Sequence, residues 1–268
     1  MRTPRFGIFP AVVLSVLVLK CHAETALSKW SRFATAAKLQ IYPDTTVTYY
    51  VDPDISKNVS FMKTFLDAVK KINDYTCVQM LRAPHEEGVD ILIYGPSTIE
   101  DQSNKEPHCS GSGVRGSRIS FQLNHISTHF VLRVLLRCLA PLEYEHLRSD
   151  RDDHVVIFWK NIKDGHEEEF MKSSIYPPDI PGFPGYTHGS VLTVPMNYLS
   201  KNGRKTYAPK NAIHNDDYRR IKMKVDAQRV RLYYRQLMFT IIQNKTMQHY
   251  KIKTSKMGPK KSCAEDLM

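Results

Sequence analysis

The 268-residue chain is short of several things, and each shortage narrows its reading. Past the first twenty residues no apolar run approaches the ~20 residues that cross a bilayer, so no membrane span is expected in the body of the chain. Acidic residues are few, 27 against 38 lysines and arginines, for a formal net charge of +11. Such a balance bears on solubility and partners rather than on fold. Cysteines are also few, five in all. Without Cys21, Cys77, Cys109, Cys138 and Cys263 remain, enough for up to two disulfides in any of three connectivities.

What is present begins with a targeting signal. Arg2 and Arg5 form a basic start, Phe6 to Leu19 an apolar core, and Cys21-His22-Ala23 a small-residue cleavage site. Residues 1–23 are therefore expected to be a signal peptide, and the protein to be secreted and extracellular. Removing Arg2, Arg5 and Lys20 leaves +8 of the +11. In a secreted chain Asn58-Val59-Ser60 and Asn244-Lys245-Thr246 are glycosylation sequons, with Asn58 and Asn244 as acceptors. A composition of 42% hydrophobic and 24% charged residues fits a globular protein.

Strand and helix signals follow in order. Val47 to Val51 is β-branched or aromatic and predicts a strand within residues 42–52. Phe61, Phe65, Ala68, Val69 and Ile72 recur at steps of three and four, which predicts an amphipathic helix over 58–75. Val89 to Tyr94 and Arg118 to Leu123 are further strands. Phe130 to Leu139 is a helix apolar nearly all round, as one buried between two half-domains would be, with Ser127 and Thr128 placed to cap it. Residues 177–185 form a Pro/Gly-rich loop.

The segment Glu145 to Ile157, with Asp150-Arg151-Asp152 and Val155-Val156-Ile157, resembles the stretch after the zinc helix of astacin-family metalloproteases. Other pieces agree with it. They are Thr76-Cys77-Val78, Cys109-Ser110 with its glycine loop, Asn161-Ile162 with Phe170, Gly189-Ser190-Val191-Leu192-Thr193-Val194, and Tyr198 to Thr206. The resemblance covers about residues 42–237. It implies an α+β, two-part astacin-like metzincin module. A twisted, mostly parallel N-terminal sheet with two helices would sit above an irregular C-terminal half. Residues 24–41 would then be a short leader and 238–268 a basic C-terminal tail.

The same resemblance requires H-E-x-x-H-x-x-G-x-x-H immediately upstream. Its positions fall on Val134, Leu135, Cys138, Pro141 and Tyr144. A catalytic zinc takes about three N, O or S ligands plus a water, and a neighbouring glutamate takes that water's proton. Val134 and Leu135 can do neither, and Cys138 and Tyr144 make two poor donors without a base. In the turn that floors such a site, Leu192 and Val194 stand at the methionine and tyrosine positions. No catalytic residue, metal ligand or cofactor is therefore assigned.

The expected function is that of a secreted pseudo-protease that binds extracellular polypeptide without hydrolysis. One alternative is a zinc metalloendopeptidase with residual activity or with a site rebuilt through His125 and His129 with Cys138 or His146. The other is a basic protein that binds a matrix polyanion through Arg219, Arg220, Lys222, Lys224, Arg229, Arg231, Arg235 and the lysine tail. No nucleic-acid partner is expected. The resemblance also implies a Cys77–Cys263 disulfide, and a buried Glu145 that in active relatives meets the processed N-terminus. Cys109 is left free or paired with Cys138.

Overall fold

The computed structural model describes residues 41–42, 44–95, 109–111, 113–123, 126–173, 183–211 and 223–235. The expected signal peptide, the leader except Ile41, and the basic tail lie outside these residues.

Strand β1, Thr46–Val51, alternates buried Val47, Tyr49 and Val51 with more exposed neighbours. It is followed by a single turn of helix, α1 (Pro53–Ser56), and then by α2 (Val59–Tyr75). Asn58 caps α2: its side chain accepts from the Phe61 amide at 2.9 Å, satisfying a donor that the first helical turn leaves open. The helix buries Phe61, Phe65, Ala68, Val69 and Ile72, the residues its periodicity selects. Thr76 ends it, donating its hydroxyl to Ile72 and receiving the Val78 amide.

Strands β2 (Gln79–Arg82), β3 (Ile91–Tyr94) and β4 (Ser117–Ser120) complete a sheet ordered β2-β1-β3-β4, every pair parallel. β3 is central and buried over Ile91, Leu92 and Ile93, as a strand covered on both faces must be. Buried Asp90 precedes it and accepts from both the amide and the hydroxyl of Thr48 at 2.8 Å. The fourth strand is shorter than residues 118–123, and its outer edge is already occupied at Arg118. Ser110 exchanges hydrogen bonds there, amide to the Arg118 carbonyl at 3.0 Å and hydroxyl from the Arg118 amide at 2.8 Å. At the other edge Asn73 covers β2 by pairing its amide group with both the N–H and the C=O of Met80. Each device removes strand edge that another chain would otherwise pair with.

Helix α3, Thr128–Leu139, is capped by Ser127 and packs on α2. Beyond it the chain is mostly turns. A two-stranded antiparallel ribbon joins β5 (Val155–Ile157) to β6 (Tyr207–Pro209), and residues 223–235 form a closing helix, α4. One apolar cluster joins the sheet, α2, α3, Val191, Leu192 and α4 residues including Val230 and Tyr233. A second, around Tyr144, Phe170, Tyr198 and Tyr207, supports the lower half. The architecture is the expected α+β module, with α3 at the junction of its halves.

Candidate functional site

Val134 and Leu135 are buried in the main core, 1% and 0% exposed. Fully burying side chains of this kind stabilises by about 1.5–3 kcal/mol each. Cys138 is bonded to Cys109, with an S–S distance of 2.02 Å, so its sulfur is not a thiolate available to metal. The amide of Gly113 donates to the Cys138 carbonyl at 3.1 Å, which brings the 109–116 loop to the end of α3. The Tyr42 hydroxyl lies 3.8 Å from the Cys138 sulfur and, since a disulfide carries no proton, is the donor. Burial pushes the Tyr42 phenol up to about 12, so it stays protonated. The helix stops at Leu139, Ala140 turns extended, and Pro141 follows.

Two arginines of α3 make side-chain polar contacts on the side of the motif positions. Buried Arg133 donates to the Thr193 carbonyl at 2.9 Å. The Arg137 guanidinium lies 4.1 Å from the centre of the Tyr144 ring, donates to its hydroxyl at 2.5 Å and approaches Glu143 at 3.4 Å. A cation over an aromatic face contributes roughly 0.5–2 kcal/mol, more as water is excluded. Tyr144 is thus held beneath a cation, a setting that disfavours a second one at its oxygen. The donor set does not fit a catalytic zinc. Among the described residues no group of three or more His, Cys, Asp or Glu could hold a metal ion.

The histidines considered for a rebuilt site are dispersed in role. His125 lies outside the described residues. His129 is half-buried rather than on the open surface, and burial, then the charge of Arg133, lowers it to about 4. His146 is enclosed by Tyr144, Phe170, Tyr198 and Tyr207, with ring centres 5.1–5.9 Å away. Its Nε2 donates to the Glu169 carbonyl at 3.0 Å, and burial holds it down at about 3. It is a neutral packing group.

The adjoining segment is built from charges. Glu145, 1% exposed, is ion-paired with Arg229 of α4, and Arg148 lies 3.9 Å from its other oxygen. Burial is as expected; the partner is an internal arginine. Arg148 grips Asp150 with two bonds of 2.7 Å and donates to the Pro184 carbonyl at 3.2 Å. Burial pushes Asp150 up, but the hydrogen bond and charge of Arg148 outweigh it and hold the carboxyl below its usual value. Buried Arg151 donates to the carbonyls of His146 (2.7 Å) and Phe170.

The 189–194 turn is fastened to the same network. Asp226 of α4 accepts from the Ser190 hydroxyl at 2.7 Å and the Val191 amide at 2.8 Å. Burial raises Asp226 to about 6, against the opposing charge of Arg229 and the bond from Ser190. The Glu145 amide donates to the Leu192 carbonyl at 3.2 Å. Leu192 and Val194 are buried, 0% and 2% exposed. The turn persists with apolar side chains where a metal site would need functional ones.

The family model for Astacin, a family of peptidases, matches residues 34–235, and the chain belongs to that family. It is 25% identical over 187 residues to zinc metalloproteinase nas-15 of Caenorhabditis elegans, covering 68% of this chain and 30% of the relative. It is 29% identical over 144 residues to bone morphogenetic protein 1 of Xenopus laevis, covering 53% and 19%. The chain therefore spans less than a third of the length of these relatives. A solved structure, high choriolytic enzyme 1 of Oryzias latipes, superposes with a TM-score of 0.47 at 19% identity, covering 68% of this chain and 89% of that one.

The remaining assigned residues separate. Cys77 is half-buried against the main core, while Cys263 lies outside the described residues. Asn58 is placed at the α2 cap, and Asn244 lies outside. The basic cluster needs correction. Arg229 is 0% exposed and belongs to the buried network, because burying Glu145 and Asp226 demands a cation beside them. Lys224, Arg231 and Arg235 are exposed; Arg219, Arg220 and Lys222 lie outside the described residues. Asp226 went unassigned from sequence, and Arg229 was read there only as a member of the basic cluster. Their spacing with Tyr233, three and then four residues, marks one helical face, and Tyr233 turns that face inward.

Proposed function

We propose that this astacin-family chain is a secreted pseudo-protease, which binds extracellular polypeptide without cutting it. The supporting observation is the identity and setting of the residues at the metal-motif positions. Val134 and Leu135 are core residues, Cys138 is in a disulfide, and Tyr144 lies under Arg137. Neither a base nor three donors converge there, so the family's hydrolytic chemistry has no carrier. Binding without hydrolysis is what such a chain can retain, since function resides in the site and not in the fold. Secretion rests on the signal-like residues 1–23. The Cys77–Cys263 bridge belongs to the same reading and would tie the 238–268 tail to the start of β2.

Elemental analysis of the secreted protein after dialysis against metal, with a peptidase assay, tests the proposal. Zinc well below one per chain and no chelator-sensitive cleavage are expected. One zinc per chain, with activity abolished by a chelator, would overturn it.

A further inference from the structure

We infer that Asn58 carries an N-linked oligosaccharide and caps α2 at the same time, using different atoms of one amide. This rests on the secretion reading. Asn58 has extended backbone angles, φ −78° and ψ 100°. Its Oδ1 accepts from the Phe61 amide at 2.9 Å, and because only a carbonyl oxygen can accept there, the orientation of the amide is settled. The Nδ2 is thereby turned away from the helix. Among the described residues nothing accepts a hydrogen bond from it, and it is not among the buried polar atoms lacking a partner. The Nδ2 is therefore not sealed from solvent, and Asn58 as a whole is half-buried.

The surroundings leave room for a bulky group. Lys57, Val59 and Ser60 are all exposed, Val59 to 80%, while the apolar face of α2 turns the other way at Phe61 and Phe65. Ser60 supplies the hydroxyl that completes the sequon. A lone exposed valine is ordinary, but one beside the acceptor gives the first sugar an apolar surface to lie against.

The transfer requires a lipid-pyrophosphate-linked oligosaccharide and the host transferase. Nδ2 attacks the anomeric carbon, the N–C bond forms and the bond to the pyrophosphate oxygen breaks. The lipid pyrophosphate leaves, and the proton lost from Nδ2 balances its charge. No atom of the cap is consumed. The product is a secondary amide whose Oδ1 still accepts from Phe61, so the glycan and the helix start do not compete.

The test is translation of the full chain, made as Thr246→Ala to silence the other sequon, in the presence of microsomes. Protease protection reports translocation, and a glycosidase-sensitive mass shift reports the sugar. A protected chain bearing one glycan, lost in Thr246→Ala/Ser60→Ala, is expected. A protected chain without sugar overturns the site and leaves secretion standing. An unprotected chain overturns the secretion reading and the site with it. The cap is tested separately on chains that both lack the glycan. Asn58→Ala should melt below Ser60→Ala, and equal midpoints would overturn the dual use of the amide.

Discussion

Helix α3 and the segment Glu145–Ile157 adjoin in sequence and pack within one module, yet they depart from the astacin pattern in opposite ways. Along α3 the metal-motif positions hold apolar or disulfide-bonded side chains. Along 145–157 the charged residues of the motif stand in place, and Glu145, Arg148 and Arg151 are each buried with a partner. The difference follows from what holds each set. Metal ligands are held by the metal, and once that demand lapses an apolar side chain of suitable volume packs as well. A buried charge is held by its neighbours, and removing one partner strands the other in a medium of low dielectric. The charged segment is therefore explained by folding alone, whatever the chemistry above it.

The sharpest way to break this comparison is to remove the cation shared by Glu145 and Asp226. Arg229→Met should destabilise by about 3–5 kcal/mol, lowering the melting midpoint by on the order of 10 °C in a domain of this size. Glu145→Gln should also be costly. Because the two side chains touch, the double variant should be less destabilised than the sum of the singles, with a coupling of about 0.5–3 kcal/mol. Thermal melts of the three proteins measure it. Single changes within about 0.5 kcal/mol of the parent, as at solvated sites, would refute the account.

The Cys109–Cys138 bond comes next. It closes a separation of 29 residues, for which the chain-entropy account gives about 3.6 kcal/mol. Melting Cys109→Ser/Cys138→Ser beside the parent should show a loss of that order. An unchanged midpoint would mean that α3 is held by its apolar contacts alone.

Much of this was legible in the sequence, for identifiable reasons. The α2 helix and its inward face followed from Phe61, Phe65, Ala68, Val69 and Ile72, because local periodicity already contains the information. The burial of Glu145 followed from the resemblance. Its partner did not, because Arg229 is 84 residues away and sits among other cations. Cation-rich composition hid one inward arginine. The disulfide choice for Cys109 was equally a question of distant approach, decided where the 109–116 loop meets the end of α3. Asn73 covering β2 depends on the reach of one side chain across a turn, which no pattern records.

Protonation gives a third effect, graded with pH. His146 titrates near 3 in the folded protein and about 6.5 when unfolded. Between those values the unfolded chain holds the extra proton, so stability falls as pH falls. His129, near 4 when folded, acts in the same direction over a narrower window. Asp226 opposes them. Its folded value is about 6 against about 3.9 unfolded, so between these the folded chain holds the proton and gains from acid. Two histidines against one carboxyl leave a net loss, each uncompensated proton amounting to at most about 1.4 kcal/mol per pH unit. Urea titrations from pH 7 to 4 should show stability declining, and His146→Phe should flatten the decline. An equally steep acid limb in that variant would assign the loss elsewhere.

The smallest expected effect sharpens the comparison from the apolar side. Leu192 is fully buried in the main core, in the turn at the methionine position of the astacin pattern, and its carbonyl, not its side chain, binds Glu145. Leu192→Met conserves volume, and methionine adapts its unbranched chain to irregular space. The cost should be below about 1.5 kcal/mol, a midpoint shift of no more than a few degrees. If the apolar positions are set only by packing, this change should sit far below Arg229→Met on the same scale. A loss as large as that of the arginine variant would show that the turn depends on one particular side chain. The floor of the site would then be as tightly specified as the charged segment beside it, and the contrast between the two regions would fail.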